Sequence, residues 1–168
     1  MGFGFLKGVV AILKGKQTPN ALAAGFALGA VFGLMPKGNL FALFFFLMFF
    51  LTTADKPVSL LSGALFSPIG PLLDGLAHKI GFKLLAQTPA LVPLWTKLAN
   101  MAIIPWTKFN NTVVLGQLII GLALFIPLFF AMKRFVAYYQ KNLSVAVNKL
   151  KVVQMVKALR VYSFWESV

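Results

Sequence analysis

The stretch from Asn111 to Met132 is the feature that most limits how this chain folds. It runs NTVVLGQLIIGLALFIPLFFAM without a charged side chain, and Lys133 and Arg134 follow it directly. About twenty consecutive apolar residues are long enough to cross the hydrocarbon core of a bilayer as one helix. The stretch therefore predicts a transmembrane helix, and we expect an integral membrane protein.

The composition favours the same environment. The chain is 60% hydrophobic and 11% charged, whereas soluble domains are about 25% charged. The formal charge of +13 would suggest nucleic acid in a soluble protein, but basic residues beside membrane spans follow the positive-inside rule and meet anionic lipid head groups. No nucleic-acid partner is expected. Cysteine is absent, which excludes disulfides, thiolate catalysis and Cys-ligated metals.

We predict an all-α fold in three parts. Residues 1–17 would form an amphipathic helix lying in the membrane interface. Residues 18–132 would form the membrane domain, which begins with Thr18 as N-cap and Pro19 at the first helical position. Residues 133–168 would form a basic cytoplasmic amphipathic helix. Seven basic residues follow the last span, and Lys7, Lys14 and Lys16 lie near the N-terminus. Both termini are therefore expected in the cytoplasm, with an even number of crossings between them.

The apolar stretch from residue 21 to residue 51 is too long for one straight span. Pro36 and Gly38 interrupt it, and a pair of half-length helices meeting at such a break predicts a re-entrant hairpin or a discontinuous helix. Before the break, glycines recur at every fourth position and share one helix face, which favours close helix packing; they are Gly25, Gly29 and Gly33.

A second apolar stretch, PVSLLSGALFSPIGPLL over residues 57–73, is interrupted in a similar way. Pro68-Ile69-Gly70 repeats the Pro-x-Gly pattern of the first break. Interrupted apolar segments in corresponding positions indicate the binding site in transporters built from repeats. Chance recurrence in a chain rich in glycine and proline is the alternative.

The two breaks and the polar turn between them supply the candidate substrate-binding residues, which are Pro36, Lys37, Gly38, Asn39, Asp55, Lys56, Ser67, Pro68 and Gly70. Lys37 would bind an anion such as a lipid phosphate, together with the positive end of the following helix. Alternatively it extends to the membrane surface. Asn39 would orient a head group or cap the next helix.

Three further groups have two interpretations each. Asp55 and Lys56 form either a turn with a local ion pair or a substrate contact. Asp74 and His78 lie four residues apart, so they form either a proton relay or an interfacial ion pair on one helix face. The phenylalanines between residues 44 and 50 either face lipid or line a groove for a lipid tail.

The segment after Met132 carries seven basic residues, which we expect to contact the membrane surface or a partner: Lys133, Arg134, Lys141, Lys149, Lys151, Lys157 and Arg160. Its apolar stripe at helical spacing predicts a helix. The helix would lie on the anionic leaflet or pack against a partner helix.

The pattern AxGxxxGxxxGxxPxGN within residues 21–39 resembles the first signature of a bacterial multi-pass membrane family, domain of unknown function twenty-sixty-two. Asp55-Lys56-Pro57 and the sequence SPIGP starting at Ser67 resemble its second signature. The resemblance implies a small inner-membrane protein, sometimes beside envelope functions of the glycosyltransferase type. The family pattern has Gln at Asn39 and Asn at Ser67, which implies a subfamily with its own substrate or partner.

The leading functional hypothesis is the handling or translocation of an anionic lipid or lipid-linked envelope precursor in the bacterial inner membrane. The second is a membrane-anchored scaffold subunit that docks a larger envelope or lipid-transfer protein. An ion or solute channel, for which a homo-oligomer could supply the pore, is a weaker alternative. The sequence shows no catalytic constellation or metal-ligand spacing, so we expect no enzyme, cofactor or metal.

Overall fold

The computed structural model describes residues 17–143. Every regular element in that range is helical, which confirms the all-α prediction. The α-helices are, in chain order, α1 (Pro19–Leu34), α2 (Leu40–Leu51), α3 (Lys56–Phe66), α4 (Ile69–Leu72), α5 (Asp74–Ala86), α6 (Val92–Ala99) and α7 (Thr112–Tyr138). Turns of 3-10 helix at Pro89–Leu91 and Ile104–Thr107 flank α6, and a π-helical turn, Tyr139–Leu143, follows α7.

Two of the predictions concern segments beyond this range. The interfacial helix predicted for residues 1–17 lies almost wholly outside the described residues. The basic helix predicted after residue 132 is described only as far as Leu143, and α7 runs through Met132 and Lys133 without interruption.

Helix α1 begins and ends where the sequence predicts. The Thr18 hydroxyl accepts a hydrogen bond from the first turn at 3.2 Å, and Pro19 occupies the first helical position. The helix ends at Leu34, and Met35 has left the helical region with φ −69° and ψ 140°. Pro36 enforces this change because proline disfavours helical dihedrals in the residue before it. The predicted first break is therefore confirmed.

Two residues with small side chains, Gly38 and Asn39, shape the connection between α1 and α2. Gly38 has φ +80°, in the left-handed region that glycine enters without the steric cost of a Cβ. The Asn39 carboxamide oxygen accepts the Ala42 N–H at 2.9 Å and caps α2. The chain thus reverses direction, and the Phe32 ring packs edge-on against Phe49, with centroids 5.4 Å apart.

Helices α1 and α3 pack with almost no side chain between their backbones. A Cβ atom placed on Gly29 would lie 2.2 Å from the Ser59 carbonyl oxygen. The corresponding closest approaches are both 2.6 Å, from Gly25 to the carbonyl oxygen of Asp55, just before α3, and from Gly33 to that of Gly63. Real Cβ atoms do not approach so closely, so the glycine face predicted for close packing does pack closely.

The order of these contacts shows that α1 and α3 are parallel. Gly25 meets Asp55 near the start of both helices, and Gly33 meets Gly63 towards their ends. Ser62 adds a polar link, since its hydroxyl donates to a backbone carbonyl of α1 at 2.7 Å. Helix α2 supplies the return path between the two parallel helices.

Helix α7 runs antiparallel to α1. Gly121 of α7 faces Val31 near the end of α1, and Val136 packs with Leu22 near its start. Helix α5 crosses the beginning of α7 at short range, because a Cβ on Gly116 would overlap the Ala77 carbonyl. Glycines of α7 therefore lie at its contacts with α1 and α5.

The second predicted break is confirmed as well. Helix α3 ends at Phe66, and Ser67 and Pro68 form a turn before the single turn of α4. Beyond it, residues 84–104 form the end of α5, a 3-10 turn and α6.

One helix in the described range is long and apolar enough to cross a membrane. This helix is α7 together with the start of the π-helical turn, Thr112–Lys141. Only 28% of its most apolar 18-residue stretch is buried inside the protein. Helices α1 and α2 are apolar but shorter. The core helix of a soluble protein would be mostly buried, and this one is not.

Gly29→Ala should destabilise the protein, because the added methyl group would overlap the Ser59 carbonyl. We expect a loss of about 1–3 kcal/mol in the free energy of unfolding, the usual cost of overpacking. Chemical denaturation of the purified protein in mild detergent measures it.

Gly75→Ala is the matched control. A Cβ at Gly75 meets no atom within 4 Å, and alanine favours a helix over glycine, so this variant should be neutral or slightly more stable. Equal destabilisation by both substitutions would contradict the role assigned to the α1–α3 contact.

Candidate functional site

A groove opens where α1 ends and α2 begins. Its volume is about 470 Å³ and its lining is mainly apolar. The lining residues come from both helices, from the connection between them and from the 3-10 turn before α7: Phe32, Lys37, Gly38, Asn39, Leu40, Ala42, Leu43, Phe46 and Trp106. We call this the Lys37 groove. Ligand sites commonly have this size, with apolar walls and few polar groups.

The Lys37 ammonium group folds back over the end of α1. It donates to the backbone carbonyls of Phe32, Gly33 (3.3 Å) and Met35 (3.0 Å). It also lies 4.0 Å from the centroid of the Phe32 ring, where the face of the ring attracts a cation. The last carbonyls of a helix lack partners within the helix, so Lys37 caps α1 at the first break.

This position gives Lys37 a role that the sequence analysis missed. The two predicted roles were anion binding and extension to the membrane surface, and the structure adds helix capping. A basic residue just beyond a helix end is a known signal for such a cap. The side chain remains partly exposed at the groove, and its partial burial lowers the pKa of the Lys37 ammonium below the usual value of a lysine.

Asn39 is almost fully buried and bonds within the break on both sides. Its oxygen caps α2, and its nitrogen donates to the Pro36 carbonyl. Of its two predicted roles, the structure shows the cap. The side chain lines the groove at the same time.

Asp55 and Lys56 lie at the opposite end of α1 from Lys37. The Asp55 N–H donates to the Ala21 carbonyl at 3.0 Å, and its buried carboxylate accepts the Val58 N–H at 2.9 Å. Asp55 therefore caps α3, while Lys56 is exposed. The predicted substrate residues do not form one cluster, because these two are separated from the first break by the length of α1.

The second break lies against the end of α1. A Cβ on Gly70 would be 2.6 Å from the Leu34 carbonyl oxygen. Ser67 and Pro68 are exposed. The two breaks therefore share one end of the molecule, but the second contributes none of the residues that line the Lys37 groove.

Gln117 of α7 joins the second break to α5. Its carboxamide nitrogen donates to the Gly70 carbonyl at 2.9 Å and to the Asp74 carboxylate at 2.6 Å. The side chain is 2% exposed, and its oxygen has no hydrogen-bond partner among residues 17–143. The sequence analysis did not single out Gln117, although a lone amide within an apolar span is a signal for such a buried contact.

Asp74 and His78 both bond to α7. Asp74 accepts from Gln117, and the His78 Nδ1 lies 2.7 Å from the Thr112 hydroxyl. The stacked ring of Phe82 covers one side of His78. These contacts fasten α5 to the start of α7, and the proton relay stays a prediction.

The phenylalanines of α2 divide between two surfaces. Phe45 and Phe49 are buried, whereas Phe44 and Phe50 are more than half exposed, and Phe46 lines the groove. Among the predicted surface contacts, Arg134 and Lys141 are exposed and Lys133 is half-buried. The remaining four, Lys149, Lys151, Lys157 and Arg160, lie outside the described range.

A comparison with protein families matches residues 5–143 to the model named DUF2062, an uncharacterized protein conserved in bacteria. The match covers most of the chain. This protein belongs to the DUF2062 family. The resemblance seen in the sequence is thereby confirmed at the level of the family.

A relative of this DUF2062 protein occurs in Treponema pallidum (strain Nichols). It is described as an uncharacterized protein and is 24% identical over 145 residues, which cover 86% of this chain and 89% of the relative. Neither the family nor this relative carries an enzymatic description. No solved structure matches the chain.

Gln117→Leu should destabilise the DUF2062 protein by about 1–3 kcal/mol, because Asp74 and the Gly70 carbonyl both lose a buried donor. The melting temperature should fall by roughly 2–4 °C per kcal/mol for a chain of this length. Gln87→Leu, at an exposed position just after α5, is the matched control and should leave the melting temperature nearly unchanged. An unchanged melting temperature for Gln117→Leu would show that the buried contact contributes nothing.

Proposed function

We propose that this DUF2062 protein is a multi-pass protein of the bacterial inner membrane that binds and handles an anionic lipid in the Lys37 groove. The observation that carries the proposal is the groove itself, which places one lysine ammonium beside apolar and aromatic walls at a helix break. An anionic lipid offers the matching combination of a charged head and an apolar tail.

The apolar surface of the molecule supports the membrane location. Helix α2 exposes Leu43, Phe44, Leu47, Phe50 and Leu51, and α7 exposes Leu122, Ile126 and Phe130. Contiguous exposed apolar patches of this kind are rare on soluble monomers and mark contacts with lipid or protein. A bilayer would cover both helices at once, and α7 has the length of a span.

The breaks in the helices fit the same environment. Broken helices persist at membrane depth only where the freed backbone groups find partners. Lys37 satisfies carbonyls at the end of α1, Asn39 satisfies the start of α2, and Gln117 satisfies Gly70. Each break is thus internally bonded and able to sit beside lipid.

Lys37 is also able to hold an anionic head group. Its contact with the Gly33 carbonyl, at 3.3 Å, is longer than its contact with Met35, so one N–H can turn towards a phosphate or carboxylate at the mouth. A hydrogen bond that involves charged groups contributes more than a neutral one. The tail would lie along Leu43 and Phe46, since both line the groove.

The scaffold-subunit hypothesis depends mainly on the C-terminal segment, most of which lies outside the described residues. It stays a prediction from the sequence. The channel hypothesis gains no specific support from the contacts described above.

Lys37→Gln should weaken the binding of phosphatidylglycerol by about tenfold or more, because a charged hydrogen bond of roughly 1.5–3 kcal/mol is lost. Native mass spectrometry of the detergent-purified protein, titrated with phosphatidylglycerol and with zwitterionic phosphatidylethanolamine, measures the bound lipid. Lys37→Arg keeps the charge and should retain most of the binding.

Lys83→Gln is the matched control, since Lys83 is exposed on α5 and does not line the groove. It should bind phosphatidylglycerol like the unaltered protein. If Lys37→Gln also binds like the unaltered protein, the groove is not the lipid site.

The membrane location has a test of its own. The protein should stay in the membrane pellet after an alkaline carbonate wash, because exposed α2 and α7 would have to leave lipid for water. Release into the supernatant would refute integration, whatever the lipid titration shows.

A further inference from the structure

The bundle of α1, α3 and α7 has two chemically different ends. The first, which we call the terminal end, holds the starts of α1 and α3 and the close of α7. Leu22, Val58 and Val136 pack together there, and the Gln140 side chain donates to the Gln17 carbonyl at 2.9 Å. The described chain therefore enters and leaves at the same end.

The second end, the groove end, holds the close of α1, both breaks and the start of α7. Gly70 lies against the Leu34 carbonyl, and Gln117 bonds to Gly70. Helix α1 separates the two ends, and its 16 residues span about 24 Å at 1.5 Å per residue. This length approaches the hydrocarbon thickness of a bilayer, about 30 Å.

The described basic residues divide almost evenly between the two ends, and the excess comes from the sequence that continues from the terminal end. The described basic residues at the terminal end are Lys56, Lys133, Arg134 and Lys141. The sequence segments that continue from this end add Lys7, Lys14, Lys16, Lys149, Lys151, Lys157 and Arg160. The groove end and the segment from α5 to the start of α7 carry the other five of the sixteen, namely Lys37, Lys79, Lys83, Lys97 and Lys108.

We infer that the Lys37 groove opens on the extracytoplasmic side and takes its anionic lipid from the outer leaflet of the inner membrane. The inference rests on the proposed function and adds which leaflet of the membrane supplies the bound lipid. Lysine and arginine near the ends of spans favour the cytoplasmic side. Counted along the sequence, the terminal end and the segments joined to it hold eleven of the sixteen basic residues, so the terminal end would face the cytoplasm and the groove end would face away from it.

The position of Trp106 supports this placement of the groove mouth. Its side chain lines the groove and is 74% exposed. Tryptophan is enriched at the level of the lipid head groups, where its ring meets both apolar and polar surroundings. The groove mouth therefore lies at a membrane surface, within reach of a head group in that leaflet.

In the opposite orientation, the spans would be flanked outside by the more basic stretches of the sequence, against the positive-inside rule. That orientation would also remove the terminal end from the anionic cytoplasmic leaflet, whose surface attracts each nearby lysine or arginine by about 1 kcal/mol. In the inferred orientation, the terminal end contacts the head groups of the cytoplasmic leaflet. The groove then contacts the lipids of the outer leaflet.

Because the chain contains no cysteine, single cysteines report the two ends directly. Asn100→Cys marks the groove side, six residues before Trp106. Thr53→Cys marks the terminal end, in the turn that precedes α3. Both positions are uncharged and exposed. A membrane-impermeant maleimide is applied to intact spheroplasts, then to permeabilised ones, with labelling of the denatured protein as the measure of thiol reactivity. Asn100→Cys should be labelled in intact spheroplasts, and Thr53→Cys only after permeabilisation.

The reverse pattern would overturn the inference, as would labelling of both cysteines in intact spheroplasts or of neither before permeabilisation. None of these outcomes depends on lipid binding. The detergent titration of Lys37→Gln tests the proposed function independently of orientation. If only the orientation is wrong, the labelling pattern is reversed and Lys37→Gln still weakens lipid binding. If only the lipid site is wrong, the labelling is as expected and Lys37→Gln has no effect on lipid binding.

Discussion

The direct contact between the backbones of α1 and α3 is the constraint on which the rest of the structure depends. Gly29 reaches the Ser59 carbonyl with no room for a methyl group. Because lipid tails are as apolar as leucine, helices in a membrane associate through such close packing rather than through water exclusion. With α3 parallel to α1, α2 has to return between their ends, and the return needs the break that carries Lys37.

Polar side chains form hydrogen bonds at both breaks, but they differ in how far along the chain they lie from the break. Lys37 and Asn39 bond within a few residues of the first break. Gln117 reaches Gly70 and Asp74 across 47 and 43 residues of sequence. The first break is therefore a local structure, whereas the second also receives a hydrogen bond from the distant helix α7.

This difference explains which features the sequence could predict. The Thr18-Pro19 start, the stop before Pro36 and the Asn39 cap follow from local backbone preferences, and all three are confirmed. The contact of Gln117 with Gly70 and the place of Trp106 in the groove arise from packing between distant segments, which no local pattern encodes. The capping role of Lys37 was within reach, since its position just beyond α1 is typical of a basic helix cap.

The mixed origin of the groove has a consequence for how the protein is made. Phe32 and Phe46 are synthesised early and meet within a local hairpin, but Trp106 arrives only after α3, α4, α5 and α6 have been built. Contacts between distant segments form more slowly than local ones because more chain has to be ordered first. The part of the groove formed by Phe32 and Phe46 is thus synthesised before the part formed by Trp106. During synthesis, that interval leaves the groove open along one side to the surroundings of the nascent chain.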